Sequence, residues 1–167
     1  PIPRGFWHPE EWQALVHEAH WKTFKDTPWI WGTFVWNMFD FSVPEWNRGG
    51  IKGRNHKGLV SYDRKVRKDS YFWYKANWSD TEVLHLCGKR YSTRPEGSYN
   101  FKAYSNVGQP ELLIDGMSLG LMQKGINDVQ YQLNDIKLDP GAYTIEIKAA
   151  QGRVMMSDQF QLHINEQ

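Results

Sequence analysis

Cysteine is all but missing from this chain. Cys87 stands alone, so no intrachain disulfide, thiolate zinc site or dithiol redox pair can form within it, and a buried, inert thiol is the expectation. Long apolar runs are missing as well. None reaches the roughly 18 residues of a membrane-spanning helix, and PIPRGFWHPEEW lacks the apolar centre of a signal peptide. We therefore expect a soluble chain with no membrane partner. Its first residue is proline rather than methionine, which suggests a cut fragment whose targeting signal lies upstream. The compartment stays open, a periplasmic or secreted parent being compatible. A dominant sign of charge is also lacking: 20 basic and 19 acidic side chains nearly cancel, which removes the usual argument for nucleic acid as partner.

Tryptophan is absent after residue 78. All nine lie before that point, at 7, 12, 21, 29, 31, 36, 46, 73 and 78. This break divides the 167 residues into two parts, 1–78 and 79–167. In the first, His8-Pro9-Glu10-Glu11 reads as a helix start, with acids in the first turn to complement the dipole. Trp12, Leu15, Val16, Ala19 and Thr23 share a face at helical spacing, and Asp26-Thr27-Pro28 ends the helix. Trp29 to Trp36 is aromatic, β-branched and apolar at nearly every position, as in a strand buried on both faces. After a long loop, Arg64 to Trp78 carries a second helical pattern opened by Asp63. Helix, buried parallel strand, loop and helix make an α/β unit.

The second part alternates with period 2. Glu82–Cys87, Tyr99–Tyr104, Glu111–Ile114, Ser118–Met122, Val129–Leu138, Tyr143–Ala149 and Val154–Ile164 are seven strand candidates, with hairpin turns at Asp115-Gly116 and Gln151-Gly152. Seven short strands in about 90 residues read as an immunoglobulin-type β-sandwich. Leu138 to Tyr143 has the form of a tyrosine corner, its alternative being a plain strand tyrosine.

Two polar residues stand out in the greasy run WGTFVWNMFDF. Asn37 and Asp40 are costly to bury unpaired, by about 1 to 3 kcal/mol for the amide and more for the charge. They lie where the expected strand ends, and in parallel α/β architectures ligands meet the loops beyond the carboxyl ends of strands. Indole beside amides and carboxylates suits a sugar, which offers C–H faces to aromatic planes and hydroxyls to hydrogen-bonding groups. Asn55 and Lys57 add donors in the following loop. Weaker signals point nowhere specific. His8, His17 and His20 lack the acid partners and spacing of a metal site, and the run from Asp63 to Lys68 reads as the solvated first turns of a helix. Asn77-Trp78-Ser79 fits a glycosylation triplet at a helix end.

The stretch WGTFVWNMFDF, followed by GRNHKGLVSYDRKVRKDSYFWYKANW, resembles the end of the catalytic barrel in glycoside hydrolase family 2, most like its bacterial β-galactosidases. The resemblance is strongest from Trp31 to Trp78 and weaker beyond. It implies that Trp29 to Trp36 is the last strand of a (β/α)8 barrel, Arg64 to Trp78 its last helix, and residues 79–167 the immunoglobulin-like module that follows. Retaining glycosidases use two carboxyl groups roughly 5 to 5.5 Å apart. In this family both are glutamates on earlier strands, so the resemblance puts both upstream of Pro1 and no catalytic residue within the chain. Glu10, Glu11 and Glu18 sit on an outer helix, where solvation and dipole complementarity explain them.

What carries over is substrate binding. Trp36 matches the tryptophan at the floor of the glycone subsite, its alternative being a core tryptophan that caps the barrel. Asn55 and Lys57 match an Asn-x-Lys motif that contacts the substrate carboxylate in the family's β-glucuronidases, and a solvated loop lysine is the other reading. Asp40 and Asn37 bond a sugar hydroxyl or hold the loop backbone. No metal or cofactor is implied. The expectation is thus a piece of a retaining β-galactosidase-type hydrolase, inactive alone, with a carbohydrate as partner and self-association through exposed barrel surfaces. The alternatives are a β-glucuronidase and a non-catalytic carbohydrate-binding or scaffold module.

Overall fold

The computed structural model describes residues 8–166; the reading of Pro1 as a cut end lies outside them. Among the described residues the chain is mostly β-sheet with two helices. It divides into two units, one ending at Trp73 and the other beginning at Tyr74.

The first unit opens with helix α1, Glu10–Lys25, entered from Pro9 and closed at Asp26, whose N–H donates to the Lys22 carbonyl at 3.0 Å while the next N–H, of Thr27, donates to Phe24 O at 3.4 Å. Acids in the first turn and lysines in the last complement the helix dipole. Both ends fall where the sequence placed them, but the buried face does not. Leu15, Ala19 and Thr23 are exposed, and the buried positions are Ala14 and Glu18. The reason lies with the neighbours. Gln13 donates to the carbonyls of Lys57 and Gly58, and Trp21 meets Trp73 edge-on at 6.1 Å, so these contacts set the helix rotation. Glu18, expected in solvent, is buried.

Trp29 to Trp36 forms no strand. Among the described residues no strand pairs with its backbone, where Ile30 N–H donates to Thr27 O at 3.1 Å in a turn, and most of its side chains stand in solvent: Trp31 is 92% and Phe34 90% exposed. Strand conformation is held by ladder bonds and by flanking side chains, and this segment has neither. Pairing resumes at β1, Phe41–Ser42, and β2, Arg54–Asn55, which run antiparallel with Phe41 opposite Asn55. The second helix, α2, spans Asp69–Trp78, five residues later than expected. Arg64 takes a positive φ of 68°, and Arg67 bridges back to Val60, so residues 61–68 turn and pair instead of coiling.

The second unit follows with β3 Leu84–Leu86, β4 Thr93–Pro95, β5 Gly97–Ser105, β6 Glu111–Ile114, β7 Met117–Leu121, β8 Gln123–Lys124, β9 Gln130–Leu138, β10 Gly141–Gln151 and β11 Val154–Asn165. They form a five-stranded sheet, β4-β11-β10-β6-β7, and a four-stranded sheet, β3-β5-β9-β8. All pairs are antiparallel except β11 with β4. All seven expected strands are present. The additions, β4 and β8, are three and two residues long, too short to show period-2 alternation. One hydrophobic cluster draws on both sheets: Phe101 and Ala103 alternate inward on β5, Leu112 and Ile114 on β6, Ile145 and Ile147 on β10, and Leu162 and Ile164 on β11.

Turn chemistry agrees with the pattern. Asp115 and Gly116 both take positive φ between the paired residues Ile114 and Met117, the geometry of a two-residue hairpin. The Tyr143 hydroxyl donates to the Asp139 carbonyl at 3.0 Å, closing the tyrosine corner anticipated there. Cys87 is buried, as expected.

Ile145 is fully buried at the centre of this cluster. We predict that Ile145→Ala destabilises the β unit by about 2 to 5 kcal/mol, read as a lower urea midpoint by far-ultraviolet circular dichroism. An unchanged midpoint would show that the cluster is not the core.

Candidate functional site

The residues singled out in the sequence lie on two adjacent stretches of the first unit, 36–40 and 55–60. These run side by side through backbone bonds. Leu59 N donates to Asn37 O at 3.0 Å, Val60 N to Met38 O at 2.9 Å and Asp40 N to Val60 O at 3.0 Å. A glycine at 58 permits the close approach. A Cβ there would stand 2.0 Å from Asp40 N and 2.2 Å from the Phe39 carbonyl carbon, so no other residue fits without moving backbone.

Asp40 locks this arrangement. It is 5% exposed, and its Oδ1 accepts the Gly58 N–H at 3.0 Å and the Lys68 Nζ at 2.7 Å. Lys68, also 5% exposed, donates to the His56 carbonyl at 3.0 Å, and its backbone N–H bonds Leu59 O at 2.9 Å. The sequence left open whether Asp40 meets a ligand or the backbone, and this geometry gives it a backbone and ion-pair role. Lys68, expected in solvent, is a correction. Its carboxylate partner lies 28 residues away, and nothing local announces it.

Asn55 is buried, and its Oδ1 accepts the Lys57 N–H at 3.0 Å, which turns the chain sharply. Lys57 is left exposed, with its Nζ 6.0 Å from the Trp46 ring centre. The Asn37 amide oxygen is buried and meets no donor among the described residues. Trp36 is 70% exposed, its ring edge-on to Phe41 at 6.1 Å. It is therefore not sealed in an interior. Gly58, Gln13 and Lys68 were not singled out as site residues. Each acts on backbone or on a residue distant in sequence, so no motif marks it.

Two histidines here are held neutral. Burial, then the nearby His20 and Lys68, lowers the His17 pKa to about 4. His56 is lowered as well, chiefly by burial, with Asp40 opposing.

No family model matches the chain. Related proteins cover nearly all of it. A β-glucuronidase of Bacteroides fragilis is 38% identical over 167 residues, 99% of this chain and 24% of the relative. The β-galactosidase BoGH2A of Bacteroides ovatus is 27% identical over 140 residues, 84% of this chain and 16% of the relative. Among solved structures, a Bacteroides fragilis protein provisionally described as a β-galactosidase superposes with a TM-score of 0.91 at 38% identity, covering 97% of this chain and 24% of its own. A Bacteroides uniformis β-glucuronidase gives a TM-score of 0.81 at 26% identity, covering 99% and 20%. The chain thus spans about a quarter or less of these relatives' lengths, and they are glycoside hydrolases of two named specificities.

Asp40→Ala should leave the Lys68 ammonium buried without its carboxylate and destabilise the first unit by about 3 to 5 kcal/mol. Tryptophan fluorescence unfolding would report it, since eight of the nine tryptophans precede Tyr74; an unchanged transition would refute the locking role.

A pH effect follows from His17. Between about 4 and 6.5 the unfolded chain holds a proton on His17 that the folded chain does not, so stability is full above 6.5 and falls as the pH drops toward 4. His17→Gln should flatten this dependence in thermal melts at pH 7, 5.5 and 4.5. An equally steep loss in the variant would assign it to other groups.

Proposed function

We propose that this chain belongs to a retaining β-glycosidase of glycoside hydrolase family 2, in which residues 1–78 are the terminal part of the (β/α)8 catalytic barrel and residues 79–167 an immunoglobulin-like module. In this reading the exposed run Trp29 to Trp36 becomes the last barrel strand, covered on both faces by preceding strands and helices. Trp36 stacks under the glycone, and Asn55 and Lys57 reach its polar rim. Both catalytic glutamates lie outside the chain, so the 167 residues alone hydrolyse nothing.

The sugar is a β-glucuronide. The observation that carries this is Lys57: its backbone is fixed by Asn55, and its ammonium is exposed and in no ion pair among the described residues, ready for a substrate carboxylate. The 38% identity to a β-glucuronidase supports it. A β-galactoside, the sequence-level preference, remains the second reading, supported by the likeness to the two proteins described as β-galactosidases.

Chromogenic β-glucuronide and β-galactoside, offered to the protein that carries this chain, separate the two. We expect the glucuronide to be preferred. Lys57→Ala should lower its kcat/KM roughly 10- to 100-fold, the size of a lost hydrogen bond to a charged group, and leave galactoside hydrolysis unchanged. A galactoside preference unaffected by the substitution would return the assignment to β-galactosidase, and hydrolysis of neither would remove the glycosidase reading.

A further inference from the structure

The loop leading into Lys57 is rich in cations. Between residues 43 and 58 stand Arg48, Lys52, Arg54 and Lys57 against one carboxylate, Glu45, in a chain whose net charge is only +1. Among the described residues none of the four cations is in an ion pair. Arg48, Lys52 and Lys57 are exposed.

These cations are held on a pinned frame. Ser42 pairs with Arg54, Val43 N donates to Gly53 O at 2.9 Å, and Gly53 N donates to Trp46 O at 2.7 Å, closing the loop at its base. Gly49, Gly50 and Gly53 supply positive φ at the bends. The Arg54 guanidinium lies 4.4 Å from the Tyr62 ring centre, as Lys57 lies over Trp46. A cation resting on an aromatic face loses little further entropy when an anion arrives.

Resting on the glycosidase reading above, we propose that this loop is a second binding surface, specific for an oligosaccharide with an anionic group, carboxylate or sulfate ester, on a sugar beyond the one cleaved. The surface begins at Arg54, two residues before His56 and three before Lys57, so it continues from the position assigned to the glycone carboxylate. Nucleic acid is the poorer match, because 20 basic side chains are nearly balanced by 19 acidic ones and the chain's net charge is only +1.

Isothermal titration of the full chain tests this without turnover. The probes are tetragalacturonate for carboxylate, a carrageenan tetrasaccharide sulfate for sulfate ester, neutral galactotetraose, inorganic tripolyphosphate and a thymidine octanucleotide. We expect one or both acidic tetrasaccharides to bind roughly 10-fold more tightly than the neutral one in low salt, the advantage shrinking at high salt as screening sets in. Arg48→Ser with Lys52→Ser should weaken acidic binding roughly 5-fold, as two exposed ion pairs are lost, and leave neutral binding unchanged. Arg48→Lys with Lys52→Arg should restore it. Equal binding of acidic and neutral sugars, an unaffected serine variant, or tighter binding of tripolyphosphate or the octanucleotide would each overturn the proposal. Glucuronide hydrolysis without acidic preference removes only this inference, whereas acidic preference without hydrolysis removes only the glycosidase reading.

Discussion

The buried pair of Asp40 and Lys68 is the constraint on which the first unit's site depends. Taking two charges out of water costs several kcal/mol per ion, and the cost is offset only when geometry is good and further hydrogen bonds complete the shell. Here Asp40 also receives the Gly58 N–H, and Lys68 also reaches the His56 carbonyl. The pair therefore ties together the stretch after Trp36, the stretch around Lys57 and the approach to α2. Apolar contacts would hold these segments near one another, but the directional charge pair fixes their register.

Gly58 is the steric counterpart of that electrostatic lock. Its missing side chain lets two backbones approach closely enough for the Asp40 bond to form. Gln13 of α1 adds a third hold by donating to the Lys57 and Gly58 carbonyls, each at 3.0 Å. Three supports of different kinds converge on one short segment, and its solvent-facing product is the exposed ammonium of Lys57. In the function proposed above, a group of this kind, rigid in backbone and with its ammonium exposed beside the Trp46 ring, suits recognition of an anion.

Aromatic residues meet opposite fates in the two units for one reason. Phe101 and Tyr131 sit in the β unit's core because two sheets supply faces on both sides. Trp31 and Phe34, in a run at least as apolar, stand in solvent because no described strand pairs with that backbone and those rings are left uncovered. Apolar character states what a segment needs, and neighbours decide whether the need is met. That contrast is the physical basis for reading Trp29 to Trp36 as one strand of a larger sheet.

Much of the local structure was legible in the residues. Pro9 and Asp26 marked the ends of α1, period-2 alternation marked seven strands, Asp115-Gly116 marked a hairpin and Tyr143 its corner, because each depends on φ, ψ or spacing within a few residues. The face buried by α1, the late start of α2, the exposure of Trp29 to Trp36 and the partners of Asp40 were not. Those depend on groups brought together from far along the chain: Lys68 lies 28 residues from Asp40, and Gln13 lies 44 from Lys57. The sequence by itself determined the ends of α1, the seven strands of the β unit and which polar residues demanded a partner; only the tertiary structure decided which partner, since a buried charge accepts whichever complementary group the fold delivers within hydrogen-bonding distance.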